Sequence, residues 1–282
     1  MPDATLELSQ TVELPEGVIA WDVYGHGPPV VLVHGTPTSS YLWRRVVPVL
    51  SETFSVYVFD LLGYGRSRAQ AQADVSLPVQ GSIVTGLLDH WGVVGAGVVG
   101  HDIGGAAVLR AHLIDGVPFA CVALLDAVVT RPWITATTRH VQAHLDAYKT
   151  MPGHVYKQIV ATHLRTAVHG TIDDATLEAY LSQWTGADGQ AAYLRKVELF
   201  DEDHTTAIEA RLGEVKVPVQ VIWGQHDAWL PIEAAERVVA RVPTARLTVV
   251  PDAGHFVMED QPQEVARLLH EFFASCLIGD AA

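Results

Sequence analysis

Residues 93–105 read VVGAGVVGHDIGG. A short run of β-branched and small apolar residues, continuous rather than alternating, fits a strand covered on both faces. It ends on Gly100, and from Gly104 the pattern changes to helical spacing through AAVLRAHL. Glycines two before and two after Asp102 permit a sharp strand-to-helix turn that lifts the residue between them. Outward from this hexapeptide, PVVLV (29–33), SVYVF (55–59), FACVALL (119–125), PVQVIW (218–223) and RLTVV (246–250) repeat the buried-strand signature. Helix-period segments at 41–50, 78–91, 104–114, 232–241 and 262–277 separate them. Such alternation implies right-handed crossovers and a doubly wound, mostly parallel sheet. Alternating residues 5–13 and 18–24 around Pro15-Glu16-Gly17 add a hairpin, giving eight expected strands.

The rhythm breaks between about 128 and 214, where β-rich runs are missing and Gly/Pro breaks divide several helices. The predicted organisation is a core of residues 1–127 and 215–282 with a helical cap, 128–214, inserted after the sixth strand. The cap holds histidines at 140, 144, 154, 163 and 169. His140 and His144 share a face, but no HExxH pattern accompanies them, so a solvated helix face is expected and no metal site.

With 282 residues, 49% apolar and 18% charged, the chain suits one large globular domain. A net charge of −14 leaves no Lys/Arg surplus to neutralise phosphates, which excludes a nucleic-acid partner. No basic start precedes an apolar stretch and no run approaches a bilayer span, so neither signal peptide nor membrane association is expected. Cys121 and Cys276 sit in apolar segments and read as reduced, small core residues in a cytoplasmic protein.

Sites in open α/β sheets form where strands end. Three segments follow apolar strands directly: His34-Gly35-Thr36-Pro37, the GHDIGG turn, and the pair Asp227 (in WGQHD) and His255 (in PDAGH). The chain order nucleophile, acid, histidine fits Asp102, Asp227 and His255. A carboxylate orients the imidazole so that its other nitrogen takes a proton from water. Asp126, at the end of the sixth strand, competes with Asp227 for the role of acid. The N–H groups of Ile103, at a helix start, and of Thr36 are the expected oxyanion donors. Read alone, GHDIGG also fits a Gly-rich turn whose Asp caps a helix. His101 would pack beneath the turn, and His34 would shape the oxyanion loop.

HGTPTSSYLWR (34–44) resembles the corresponding stretch of haloalkane dehalogenases, and FDLLGYGRS (59–67), GHDIGG and the final Ala-Gly-His are shared more widely with epoxide hydrolases and fluoroacetate dehalogenase. The resemblance covers 18–126 and 215–277 and implies an α/β-hydrolase fold, a cofactor-free enzyme and an alkyl ester on Asp102. Its substrates would be a small apolar electrophile and water, and its assembly a monomer or homodimer. A carboxylate, ionised at pH 7, displaces halide or opens an epoxide at a tetrahedral carbon without a base. Two departures stand out. Haloalkane dehalogenases carry a Trp after the nucleophile to bind halide, and an Asn after His-Gly; here Ile103 and Thr36 replace them. Ile103 also replaces the Arg with which fluoroacetate dehalogenase holds a carboxylate, though Arg110 follows two turns on. Epoxide hydrolases protonate the opening oxygen with cap tyrosines, and of Tyr148, Tyr156, Tyr180 and Tyr193 the expected ones are Tyr156 and Tyr193. Trp133, Trp184 and Trp229 are candidates to wall an apolar pocket. A noncatalytic ligand-binding protein on the same fold, and carbon–carbon cleavage without a covalent step, are the rival functions.

Overall fold

The computed structural model describes residues 6–70 and 73–279. Nine strands form one sheet: β1 Gln10–Leu14, β2 Gly17–Tyr24, β3 Pro29–Val33, β4 Ser55–Phe59, β5 Arg68–Ala69, β6 Gly97–Asp102, β7 Cys121–Ala127, β8 Val219–Gly224 and β9 Ala245–Val250. Their order is β1-β2-β4-β3-β6-β7-β8-β9, with the two-residue β5 pairing β2 at the side. β3, β4 and β6–β9 run parallel, whereas β1 and β2 are antiparallel additions. The eight expected strands are thus the main path, and β5 is a ninth, too short to carry a pattern.

Burial explains the parallel part. Every residue of β6 and β7 is buried, and helices cover both faces: Leu77–Trp91 and Ile103–Leu113 on one, Pro262–Leu277 on the other. Three boundaries differ from expectation by several residues, one of them the start of β6, which is Gly97 and not Val93. The first strand begins at Gln10, not at residue 5, which lies outside the described residues; Ser9 instead gives its N–H and hydroxyl to Asp22. The helix expected over 41–50 is a 3-10 turn, Ser40–Trp43, capped by Ser39, and a separate turn, Val47–Leu50, with Pro48 in its first turn.

Between β7 and β8 the chain forms helices only, the longest being Gly153–Arg165 and Gly186–Leu199, with Ala136–Ala143 and Asp174–Leu181 next. The last piece, Thr206–Arg211, packs against Ile103–Leu113 and buries Ile208 with the sheet's own core. Cys121 is buried, Cys276 half-buried, and both are free thiols. No helix among the described residues is long and apolar enough to cross a membrane.

Candidate active site

The turn after β6 holds Asp102 at φ 51° and ψ −127°, a conformation most side chains avoid. The flanking glycines make it possible. A Cβ on Gly100 would lie 2.5 Å from the Gly105 Cα, and one on Gly104 would lie 2.5 Å from the His34 carbonyl oxygen. Without them the helix could not fold back over the strand ends. The β6–β7 register also slips between His101 and Asp102: His101 pairs with Leu125, but Asp102 pairs with Ala127, skipping Asp126. The helix beginning at Ile103 offers first-turn N–H groups without intrahelical partners, and the positive end of its dipole favours an anion there.

The two carboxylate oxygens of Asp102 have different surroundings. Thr36 donates its backbone N–H to Oδ1 at 2.8 Å, while Oδ2 lies 3.5 Å from Nε2 of His255. On the other side of the ring, Nδ1 lies 2.9 Å from Oδ2 of Asp227. Asp227 is itself fixed, because its Oδ1 accepts the N–H groups of Trp229 at 2.7 Å and Leu230 at 2.9 Å. Burial opposes protonation of His255, but the charges of Asp227 and Asp102 outweigh it and raise the ring's pKa to about 10. His101 packs beneath, with Nε2 3.0 Å from the His255 carbonyl oxygen. Burial, reinforced by His255, pushes His101 down to about 3, so it stays neutral and donates that bond. His34 is likewise a framework group: its Nε2 accepts the Leu61 N–H at 2.9 Å, and its Nδ1 lies 2.9 Å from the Gly35 carbonyl. Burial lowers its pKa as well.

Asp126 stands in the same cluster. Carboxylate oxygens of Asp126 and Asp227 and a ring nitrogen of His255 lie within 4.8 Å of one another. The partner of His255 Nδ1 is nevertheless Asp227. Asp126, fully buried at φ 41°, accepts the Gly224 N–H at 2.8 Å through Oδ1, and its Oδ2 has no partner among the described residues. Burial, then the neighbouring charge of Asp227, raises its carboxyl well above the usual range, which favours its protonated form behind the Asp227–His255 pair.

A cavity of about 40 Å³ lies over Asp102. At roughly 10–15 Å³ for one water, that is space for only a few atoms unless the helices above it part. Its walls are mostly apolar, from Ile103, Val128 and Leu230 of the core side and Trp133, Val197 and Phe200 of the helical segment. Two of the expected substrate-contacting residues line it, Trp133 and Tyr193. The Trp133 indole N–H is buried without a partner among the described residues. Tyr156 does not line the cavity. It sits behind Tyr193, the rings 6.1 Å apart and edge to face, because its helix turns it into the apolar interior. Tyr180 is engaged elsewhere, donating to Glu259. Arg110 lays its stem against Gly81 of the neighbouring helix rather than reaching the site.

His163 is not among the expected site residues, and the solvated face expected for His140 and His144 does not include it. It lines the cavity, stacks on Trp229 with ring centroids 4.3 Å apart, and is pushed down to about 4 by burial and then by His255. Trp229 in turn lies 4.8 Å from the His255 ring. Only the i, i+3 and i, i+4 buried neighbours Val160 and Ala167 flag His163 in the sequence, and that signal is shared by any helix.

This sheet order, with a strained acidic residue at the β6–helix turn and an acid–histidine pair after β8 and β9, defines a class. Residues 28–262 match the family model of the alpha/beta hydrolase fold, and the chain belongs to that family. An alpha/beta hydrolase fold protein from Burkholderia ambifaria superposes with a TM-score of 0.91 at 36% identity, covering 94% of this chain and 98% of that one. Haloalkane dehalogenase 2 of Mycobacterium tuberculosis is 28% identical over 267 residues, 88% of this chain and 89% of the relative. A 2-hydroxy-6-oxononadienedioate/2-hydroxy-6-oxononatrienedioate hydrolase of Cupriavidus pinatubonensis is 21% identical over 256 residues, 87% of this chain and 86% of the relative.

Proposed function

We propose that the protein is a cofactor-free hydrolase that opens a small apolar electrophile through an alkyl ester on Asp102, with carbon–halide cleavage as the first reading. The observation that carries it is the division of labour between the Asp102 oxygens: Oδ1 is held by the Thr36 N–H at 2.8 Å, and Oδ2 is left facing His255. Oδ2 attacks the substrate carbon and the leaving group departs with the bonding pair. Asp102 is then neutral, so His255 keeps only Asp227 as anionic support and gives its proton to solvent, which with the departed halide accounts for one equivalent of acid (in the epoxide reading the alkoxide takes it). The neutral ring takes a proton from water as the water oxygen adds to the Asp102 carbonyl carbon. Negative charge develops on Oδ1, where the Thr36 and Ile103 N–H groups serve it, and such a donor is worth about 3 kcal/mol of barrier. Collapse expels the alkoxide, which takes the proton from His255 to leave as the alcohol, and the carboxyl proton left on Asp102 passes to the ring, restoring the charged pair.

Residues 128–214 act in this reading as the cap that closes the apolar cavity. The Trp133 indole N–H supplies a leaving-group donor that Ile103 lacks. Tyr193 supports a second reading, epoxide opening, because it lines the cavity and burial raises its pKa, keeping its proton available for an alkoxide. The decisive experiment is His255→Gln with a panel of bromoalkanes and epoxides, followed by the mass of the peptide containing Asp102. A gain equal to the alkyl or hydroxyalkyl group is expected. Carbon–carbon cleavage or any route without a covalent step predicts turnover by the wild type and no adduct in the variant, which would overturn the reading.

A further inference from the structure

At the rim of the sheet, away from the cavity, three segments meet: the turn after Gly153–Arg165, the loop after β8 and the loop after β9. Their backbones are tied together. Phe256 donates its N–H to the Ala167 carbonyl at 2.7 Å, and His226 donates to Ala253 at 2.8 Å. Asp260 accepts from His169 at 2.8 Å, Gly170 at 3.0 Å and Gly254 at 2.8 Å, fastening the cap turn to the β9 loop. The approach is so close that a Cβ on Gly254 would lie 2.7 Å from the Ala167 oxygen.

Each of these fixed backbones projects one exposed side chain with metal-binding chemistry: His169, His226 and Asp252. Their donor atoms lie within 4.8 Å of one another. The two imidazoles are stacked, centroids 4.0 Å apart and 16° from parallel, and His169 Nε2 is 4.0 Å from Asp252 Oδ1. Ligands at ~2.1 Å around a tetrahedral ion are about 3.4 Å apart. Exposed side chains on a rigid frame reach that separation by small rotations that splay the rings towards a shared ion.

We propose that His169, His226 and Asp252 form a surface site for one borderline divalent cation, Zn²⁺ or Ni²⁺. Two imidazoles and one carboxylate suit these ions, whereas Mg²⁺ and Ca²⁺ select oxygen donors. Solvent completes the coordination. The sequence shows no ligand spacing because the three residues come from segments separated by 57 and 26 positions (226 − 169 and 252 − 226). The ion would tie the cap turn to the loops carrying Asp227 and His255, but its binding is independent of the reaction proposed above.

The test is calorimetric titration of the untagged chain with ZnCl₂ and NiCl₂, with MgCl₂ and CaCl₂ as comparators. One Zn²⁺ or Ni²⁺ per chain is expected, with affinity at least about a hundredfold weaker in His169→Ala or His226→Ala, since even groups that only support ligands are worth 10–100-fold. Asp252→Asn should weaken it too, and the double variant His140→Ala/His144→Ala, which removes the other exposed histidine pair, should bind as wild type. Circular dichroism of each variant verifies folding. Absence of saturable binding below millimolar metal, or retained binding in His169→Ala and His226→Ala, would overturn the assignment.

Discussion

Replacing Glu259 by Leu should destabilise the protein by about 3–5 kcal/mol, because its carboxylate is the anion of a buried ion pair. Arg44 forms two bonds to it, Nη1 to Oε1 at 2.5 Å and Nη2 to Oε2 at 2.9 Å. The Arg44 side chain is 0% exposed and that of Glu259 6%, so the pair belongs with buried ion pairs rather than with surface ones worth under about 1 kcal/mol. Tyr180 donates to the same carboxylate, Thr176 lies 3.4 Å from Nη2, and the guanidinium lies 4.1 Å from the Tyr41 ring centroid. Removing the carboxylate takes from the buried guanidinium the group that accepts two of its bonds. At about 2.1 cal/mol/K of unfolding entropy per residue, the loss in this 282-residue chain corresponds to a fall in Tm of about 5–8 °C. Differential scanning calorimetry of Glu259→Leu and of Arg44→Met/Glu259→Leu decides it. The double variant, with both charges replaced by apolar side chains, should recover most of the lost stability, since a buried pair gains little over apolar packing of like volume. A single variant that melts within 2 °C of wild type, or a double variant that melts lower still, would refute the reasoning.

The two acids near His255 separate by substitution. Asp227→Asn should lower turnover by about 10⁴, through the wrong imidazole tautomer. Asp126→Asn should retain turnover and raise Tm at pH 8, because an amide replaces a carboxyl that folding forces to stay neutral. That advantage should shrink towards pH 4, where the unfolded chain's Asp126 is protonated too. His255 has the same sign with a higher window. Its folded pKa of about 10 exceeds the unfolded value near 6.5, so its stabilising contribution is complete below pH 6.5 and lost as pH rises to 10. The stability difference between wild type and His255→Gln, from urea titrations, should therefore narrow between pH 7 and 10. Trp133→Phe should cost 10²–10³ in halide release, a magnitude typical of one transition-state donor, and leave epoxide opening intact. Tyr193→Phe should do the reverse.

The elbow and the central strands were legible because their constraints are local. Doubly covered strands must be apolar throughout, and Gly100 and Gly104 answer a steric demand within a few residues of Asp102. The pairing of Asp227 with His255 was legible because both follow parallel strands, β8 and β9, whose ends the topology places together. Asp126 ends the adjacent β7, so its closeness to the same ring follows from the same rule. Its neutrality does not, because that depends on complete burial. The stretch between β7 and β8 was legible only as a run of helices. Whether Tyr156 or His163 faces Asp102 depends on how each helix is rotated, and helical periodicity marks an inward face without saying what lies opposite. The short helix ending the insertion escaped notice as a piece of core because its allegiance is set by Ile208 docking on Ile103–Leu113.

The helical segment around the cavity is held by contacts of two kinds. One flank is sewn down by the Ala167–Phe256 and Asp260 backbone bonds, and another by the buried Arg44–Glu259–Tyr180 group. The flank bearing Trp133 is held differently, with Arg131 paired to Asp203 and Glu209 and Arg139 paired to Glu202, the arginines 41% and 53% exposed. Links of that kind yield first and are screened by salt over about 8–10 Å. Rising ionic strength should therefore loosen residues 131–139 before it affects the flanks held by backbone bonds and buried charge.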